Sequence, residues 1–250
     1  MSAENSLKRL DIFLVENGYA SSREIAKKLI VGGYVTVNGK KSEKPSLQVT
    51  NDCLIEVSSE NEITRFVSRG ALKLLAALDS FNIDVSGKKC VDFGASTGGF
   101  TDLLLQRGAE HVYAIENGSN QLHPKLLSDP KVTSFDNTNA RYINKGFIPL
   151  CDIAVMDVSF ISQTKLYESV TNVLSKDGIF ISLIKPQFEA GKEFIGKNGI
   201  VKDYGVHEKV IFEIKEKARL FGLNFISLIP SPILGGDGNK EFLSYFRFEG

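Results

Sequence analysis

From Lys89 to Phe248 the sequence alternates short apolar runs of strand length with longer stretches, and this alternation restricts the fold more than any other feature. The runs KCVDFG, HVYAIE, VTSFD, DIAVMDV, GIFISLI, FISLIPS and FLSYFRF are rich in β-branched and aromatic residues, and helical spacing fills the spans between them. Strands that alternate with helices need crossover connections, which give a mostly parallel sheet covered on both faces. Seven such runs predict a doubly wound, Rossmann-like α/β domain. The last two lie closest in sequence, so the final strand is expected to be antiparallel.

The chain has 250 residues and 42% hydrophobic content, enough for that domain plus a small appendage with no covalent staple. Cys53, Cys90 and Cys151 lie far apart without metal-ligand spacing, so they are expected to be buried apolar residues in a reducing cytoplasm, and no metal site is expected. The polar start MSAENSLKRL lacks a secretory pattern, and no apolar run approaches the roughly 20 residues that span a bilayer. No membrane insertion is expected. Thirty basic and thirty acidic side chains cancel, which excludes a protein that coats nucleic acid through bulk charge. Any polyanion site must be local, and the early cluster Lys8, Arg9, Arg23, Lys27, Lys28, Lys40, Lys41 and Lys44 supplies one. No oligomeric state follows from the sequence.

That cluster lies in a patterned segment. In LKRLDIFLVENGYA, Leu10, Phe13 and Leu14 recur at helical spacing before Gly18. SSREIAKKLI opens on Ser21 with Glu24 three residues on, a capping-box pattern, and carries Arg23, Lys27 and Lys28 on its polar face. YVTVNGKK then turns at Asn38-Gly39, a strong hairpin signal. A lone charge run reads first as a solvated helix face. However, RLDIFLVENGYASSREIAKKLIVGGYVTVNGK resembles the small RNA-binding domain named after the fourth small-subunit ribosomal protein, also called the α-L motif. The resemblance implies that Arg9, Arg23, Lys27, Lys28, Lys40 and Lys41 face folded RNA. The expected organisation is an RNA-binding domain over residues 1–60, a polar linker over 61–67, and the α/β domain over 68–250.

The stretch DFGASTGGF, after the first strand of that larger domain, has three readings. Gly94, Ser96 and Gly98 spell G-x-S-x-G, the nucleophile elbow of a serine hydrolase, with His207 as a candidate base. An elbow needs oxyanion donors from a loop after an earlier strand, and no earlier strand of this sheet exists. A dinucleotide loop needs glycine where Ser96 stands. An adenosyl loop fits better, with Asp92 at the strand end and Glu116 ending the next strand to take ribose hydroxyls, although Glu116 could equally be a solvated strand-end acid.

The segments SRGALKL, DFGASTGGFTDLLLQRGAEHVYAIENG, DVSFIS, LIKPQFE, GIVKDYGVH and SPILGGDGNKEFL resemble, in order and spacing, the haemolysin A (TlyA) family of ribosomal RNA methyltransferases, whose catalytic domain is of the FtsJ type. The resemblance implies 2′-O-methylation of cytidine ribose in ribosomal RNA with S-adenosylmethionine as donor. It implies a catalytic tetrad of Lys73, Asp157, Lys185 and Glu241. It also implies cofactor contacts from Asp92, Gly94, Ser96, Gly98 and Glu116, with Asp136 beside the adenine. Three positions depart from the family pattern: Ala71 replaces a common glycine, Glu116 stands where aspartate is usual, and DNTNAR differs from ERTN-R.

Such residues suit the reaction. Asp157 and Lys185 follow the fourth and fifth strands, at the carboxyl edge where open α/β sheets bind ligands. A ribose hydroxyl needs a base, and a lysine serves when its pKa, ordinarily about 10.4, falls toward about 7–8. Carboxylates oppose that fall, so Asp157 and Glu241 are cast as orienters. Two competing classes are a non-enzymatic RNA-binding assembly factor and a membrane-active haemolysin. Intact tetrad positions weigh against the first, and the lack of a lysine-rich amphipathic lytic helix against the second.

Overall fold

The computed structural model describes residues 7–20, 22–58 and 65–250. The chain divides into two compact units, residues 1–66 and 67–250. Ser21 and most of the expected linker lie outside the described residues.

In the first unit, strand β1 (Lys8–Arg9) leads into helices α1 (Leu10–Glu16) and α2 (Arg23–Val31). Short strands β2 (Val35–Val37), β3 (Lys40–Lys41), β4 (Gln48–Val49) and β5 (Ile55–Val57) follow. Leu10, Leu14, Ala26, Leu29 and Ile30 are buried together, as the helical spacing predicts. The β2–β3 hairpin turns through Asn38 at φ 51° and Gly39 at φ 76°, the paired positive φ values that favour Asn-Gly there. The start of α2 differs from the expected capping box. Ser22 is the cap, its hydroxyl accepting the Ile25 backbone N–H at 3.3 Å. Glu24 therefore falls one position short of closing a box and instead pairs with Lys28 at 2.6 Å.

The second unit carries a seven-stranded sheet. Its strands are β6 (Lys89–Phe93), β7 (His111–Ile115), β8 (Val132–Phe135), β9 (Cys151–Met156), β10 (Leu174–Ile184), β11 (Leu223–Pro230) and β12 (Phe242–Phe248). They lie in the order β11-β12-β10-β9-β6-β7-β8. Strands β6 to β10 pair in parallel, and β12 is antiparallel to both β10 and β11. The final strand is thus antiparallel as expected, and it inserts between two earlier strands. β6 and β9 are almost wholly buried, the pattern of strands covered on both faces. Phe93, Met156, Tyr167, Phe180 and Phe246 form the centre of the main core. Cys151 is buried there and Cys90 is buried within β6, as expected, whereas Cys53 is only half-buried.

Helices α3 (Ala71–Ser80) and α4 (Gly99–Gln106) pack on each other, with α4 against β7, while the long α8 (Tyr204–Arg219) lies on β11. Between them come the shorter α5 (Pro124–Leu127), α6 (Tyr167–Val173) and α7 (Pro186–Glu189). The chain runs outward from β6 through β7 to β8, then returns to place β9 on the other side of β6. That reversal opens a crevice beyond the carboxyl ends of β6 and β9, the place where such sheets bind ligands.

Candidate active site

The first wall of the crevice is the turn from β6 to α4. Gly94, Ser96 and Gly98 all have positive φ, 82°, 49° and 97°. A Cβ on Gly94 would sit 2.7 Å from the Asp157 carbonyl oxygen, so glycine is required there by the segment leaving β9 as well as by φ. The Gly94 and Ala95 backbone N–H groups both donate to the Ile115 carbonyl, at 2.9 and 3.1 Å. Asp92, fully buried one turn beneath, accepts at Oδ2 from the Thr101 backbone N–H (3.1 Å) and hydroxyl (2.7 Å). Its Oδ1 has no protein partner. Burial pushes this carboxyl up to about 7, against the Thr101 bonds and with help from the nearby Asp157 and Glu116 charges.

The turn borders two cavities that share Gly94, Ser96, Asp157 and Ser159. The smaller, about 170 Å³, is bounded also by Ser68, Gly70, Asp92 and Lys185. The larger, about 1180 Å³, extends over Glu116, Asn139, Arg141, Phe160 and Phe188. Glu116 accepts the Ser96 backbone N–H at 2.9 Å and the Gly118 backbone N–H at 2.7 Å, which aims its carboxylate along the glycine turn. Asp136 lines neither cavity; it accepts the Asn120 backbone N–H at 2.9 Å and so braces the loop after β7.

The four tetrad candidates form two ion pairs. Lys185 Nζ lies 2.6 Å from Asp157 Oδ1 and donates to the Ser159 hydroxyl at 2.8 Å, all on the cavity wall. Lys73 Nζ donates to Glu241 Oε2 at 2.6 Å, with both side chains buried and neither on a cavity wall. The serine-hydrolase reading fails on its base. His207 is buried and its Nε2 bonds the Val201 carbonyl at 2.9 Å; His111 pairs with Thr133, and His123 caps the Lys125 backbone N–H. These are the chain's three histidines, and none lines either cavity with Ser96.

A profile of the FtsJ-like methyltransferase family matches residues 66–248. The chain belongs to that family. An S4 domain profile matches residues 8–52 of this FtsJ-like methyltransferase. It is 38% identical to the 16S/23S rRNA (cytidine-2′-O)-methyltransferase TlyA of Mycobacterium tuberculosis, over 96% of this chain and 89% of the relative. It is 40% identical to the protein named Hemolysin A of Brachyspira hyodysenteriae, over 95% of this chain and 99% of the relative. Among solved structures, a hemolysin candidate from Streptococcus thermophilus is 40% identical and superposes with a TM-score of 0.73, over 98% of this chain and 89% of that one.

In the S4 unit of this FtsJ-like methyltransferase, the expected RNA contacts divide by partner. Arg9 and Arg23 both bond the buried Asp11, at 3.0 and 3.1 Å. The Arg9 bond, then the Arg23 bond, hold the Asp11 carboxyl at about 2 against the burial that opposes them. Lys28 is drawn to Glu24, while Lys27, Lys40 and Lys41 are exposed. No helix among the described residues is long and apolar enough to cross a membrane, and no group of three or more potential metal ligands occurs among them.

Several cavity residues escaped the sequence reading, among them Ser68, Ser159 and Phe160. Ser68 and Ser159 are small polar residues with no periodic signature. Phe160 is 91% exposed at φ 63°, its ring 5.2 Å from that of Phe188. An aromatic in an apolar run reads as core by default; the only signal was its place three residues after Asp157 in DVSFIS.

Proposed function

We propose that this protein methylates the 2′-hydroxyl of cytidine ribose in ribosomal RNA, using S-adenosylmethionine. The observation that carries the proposal is the joining, at one crevice, of a positive-φ glycine turn to the Asp157–Lys185 pair. The relatives named above support the substrate, and the S4 unit supports an RNA partner in the cytoplasm.

The residues present fit the cofactor. A turn with bare backbone at Gly94, on the wall of both cavities, offers a close approach, whereas Gly98 lines neither and makes room for Leu122 and Leu126; the unpartnered Asp92 Oδ1 offers a buried acceptor oxygen. Glu116, on the larger cavity, has lone pairs left for ribose hydroxyls after accepting two backbone donors. When bound, S-adenosylmethionine supplies an electrophilic methyl group on a cationic sulfur.

The chain's own part is to present and activate the ribose. Lys185 Nζ, acting as the neutral amine, takes the 2′-hydroxyl proton as that oxygen attacks the methyl carbon and the carbon–sulfur bond breaks, with Asp157 and Ser159 fixing its direction. Pro186 holds Lys185 at φ −111° and ψ 98°, extended as β10 ends. Phe160 and Phe188 form an apolar platform on which an unstacked base can lie. Lys73 and Glu241, buried off the cavities, brace α3 against the start of β12. Lys27, Lys40 and Lys41, with Arg9 and Arg23 set by Asp11, take phosphates in the RNA-binding domain of residues 1–60. Residues 61–67 link it to the catalytic domain of 68–250.

The test is mass mapping of ribosomal RNA after incubating isolated subunits with the purified protein and S-adenosylmethionine. Appearance of 2′-O-methylcytidine is expected. Methylation on a base, or none on either subunit, refutes the proposal.

A further inference from the structure

Two chain segments leave the crevice side by side, residues 157–163 after β9 and residues 185–189 after β10, and they are joined along their length. At the near end Lys185 meets Asp157 and Ser159. In the middle the rings of Phe160 and Phe188 lie 5.2 Å apart. At the far end both oxygens of Glu189 are engaged by the facing segment. Oε2 accepts the Ser162 hydroxyl at 2.6 Å, and Oε1 accepts the Gln163 backbone N–H at 2.8 Å. Ser162 is also the cap of the 3₁₀ turn Gln163–Leu166, so the carboxylate fixes the point at which the loop ends.

The loop needs such an anchor. Phe160 holds a left-handed backbone that costs a non-glycine residue on the order of 1–3 kcal/mol. Its ring is also left almost fully exposed, at 91%. Neither feature favours this conformation by itself, so it must be imposed from the loop's two ends.

We propose that Glu189 is a positioning residue of the methyl-transfer site. By clamping Ser162 and Gln163 it holds the loop so that Ser159 and Phe160 face the incoming nucleotide, without itself touching the substrate. The inference rests on the methyltransferase reading above.

A purely structural staple is the competing role, and two observations weigh against it. The Glu189 carboxyl is raised from its ordinary range by burial, opposed by its Ser162 and Gln163 bonds and by the Lys217 charge. An acid kept there is a costly way to gain stability. Close by, the buried Tyr167 hydroxyl, which feels the Glu189 charge, lacks a protein partner. A segment shaped for stability alone would place apolar groups here.

The test uses the full chain with Glu189→Ala, Glu189→Asp and Glu189→Gln. Glutamine can keep both contacts, its carbonyl accepting from Gln163 and its amide donating to Ser162; aspartate is one methylene too short to reach both. Single-turnover methylation of ribosomal RNA, S-adenosylhomocysteine affinity and amide hydrogen exchange over residues 157–163 are measured together. Alanine and aspartate should slow methyl transfer at least about tenfold, with ligand affinity within about twofold and faster exchange over 157–163. Glutamine should restore most of the rate and the protection. Should the alanine variant not fold, the aspartate and glutamine variants carry the comparison. Wild-type rates in Glu189→Asp, or rate loss with unchanged exchange over 157–163, would overturn the inference. A wild-type chain that transfers no methyl group refutes the function instead, and the exchange comparison still decides whether Glu189 is a clamp.

Discussion

Lys73 and Glu241 are separated by 168 positions yet form a buried pair, which no local pattern could announce. The family resemblance named all four tetrad residues, and for Asp157 and Lys185 the strand ends add a physical reason, because residues that follow parallel strands share one edge of the sheet. Nothing comparable says that the other two turn toward each other and off the cavities. Breaking a buried pair from one side leaves an uncompensated charge, so Lys73→Met should cost about 3–5 kcal/mol, read by urea unfolding. A variant as stable as wild type but unable to transfer methyl groups would place Lys73 in the chemistry instead. Asp92 has a different signature. Its folded carboxyl titrates near 7 and its ordinary value is 3.8, so between those values the folded state holds a proton that the unfolded state has lost. Stability should therefore fall as pH rises from about 4 to about 7, by a few kcal/mol in all, and Asp92→Asn should flatten that decline. An unchanged slope in the variant would remove Asp92 as the cause.

Elements were more legible than residues. All seven apolar runs became strands of the large sheet, because strands buried on both faces must be continuously apolar and stand out as such. What stayed hidden was lateral order: the insertion of β12 between β10 and β11 is a pairing choice that the local sequence does not encode. The start of α2 was misread by one residue because two serines in succession both satisfy the cap pattern. The glycine turn was legible as a ligand loop, but part of the reason for Gly94 was not, since its restraint comes from the Asp157 carbonyl just beyond the end of β9. Gly94→Ala should thus destabilise the fold by about 1–3 kcal/mol through positive φ and the close carbonyl. A thermal scan without cofactor checks this. An unshifted midpoint combined with weakened S-adenosylmethionine binding would mean that only the ligand requires glycine there.

At the scale of the whole molecule, the proposed function divides a neutral chain of two compact units into an RNA-binding small unit and a methyl-transferring large one. A fragment of residues 67–250 keeps every strand of the seven-stranded sheet and should fold, while losing most affinity for ribosomal RNA. The intact protein's affinity should fall steeply with salt as phosphate contacts release counterions. Full RNA affinity in the fragment, by filter binding at matched salt, would contradict that division. The central claim is that Lys185, held by Asp157 and Ser159, accepts the ribose proton during methyl transfer to cytidine. Its most direct test is single-turnover methylation of ribosomal RNA by wild type, Lys185→Ala and Lys185→Arg, with S-adenosylhomocysteine affinity measured alongside. Both variants should lose at least about 10²-fold in rate with affinity nearly unchanged, because alanine has no acceptor and arginine stays protonated. Near-wild-type methylation by Lys185→Arg would contradict the account, since a permanent cation in that place would then suffice.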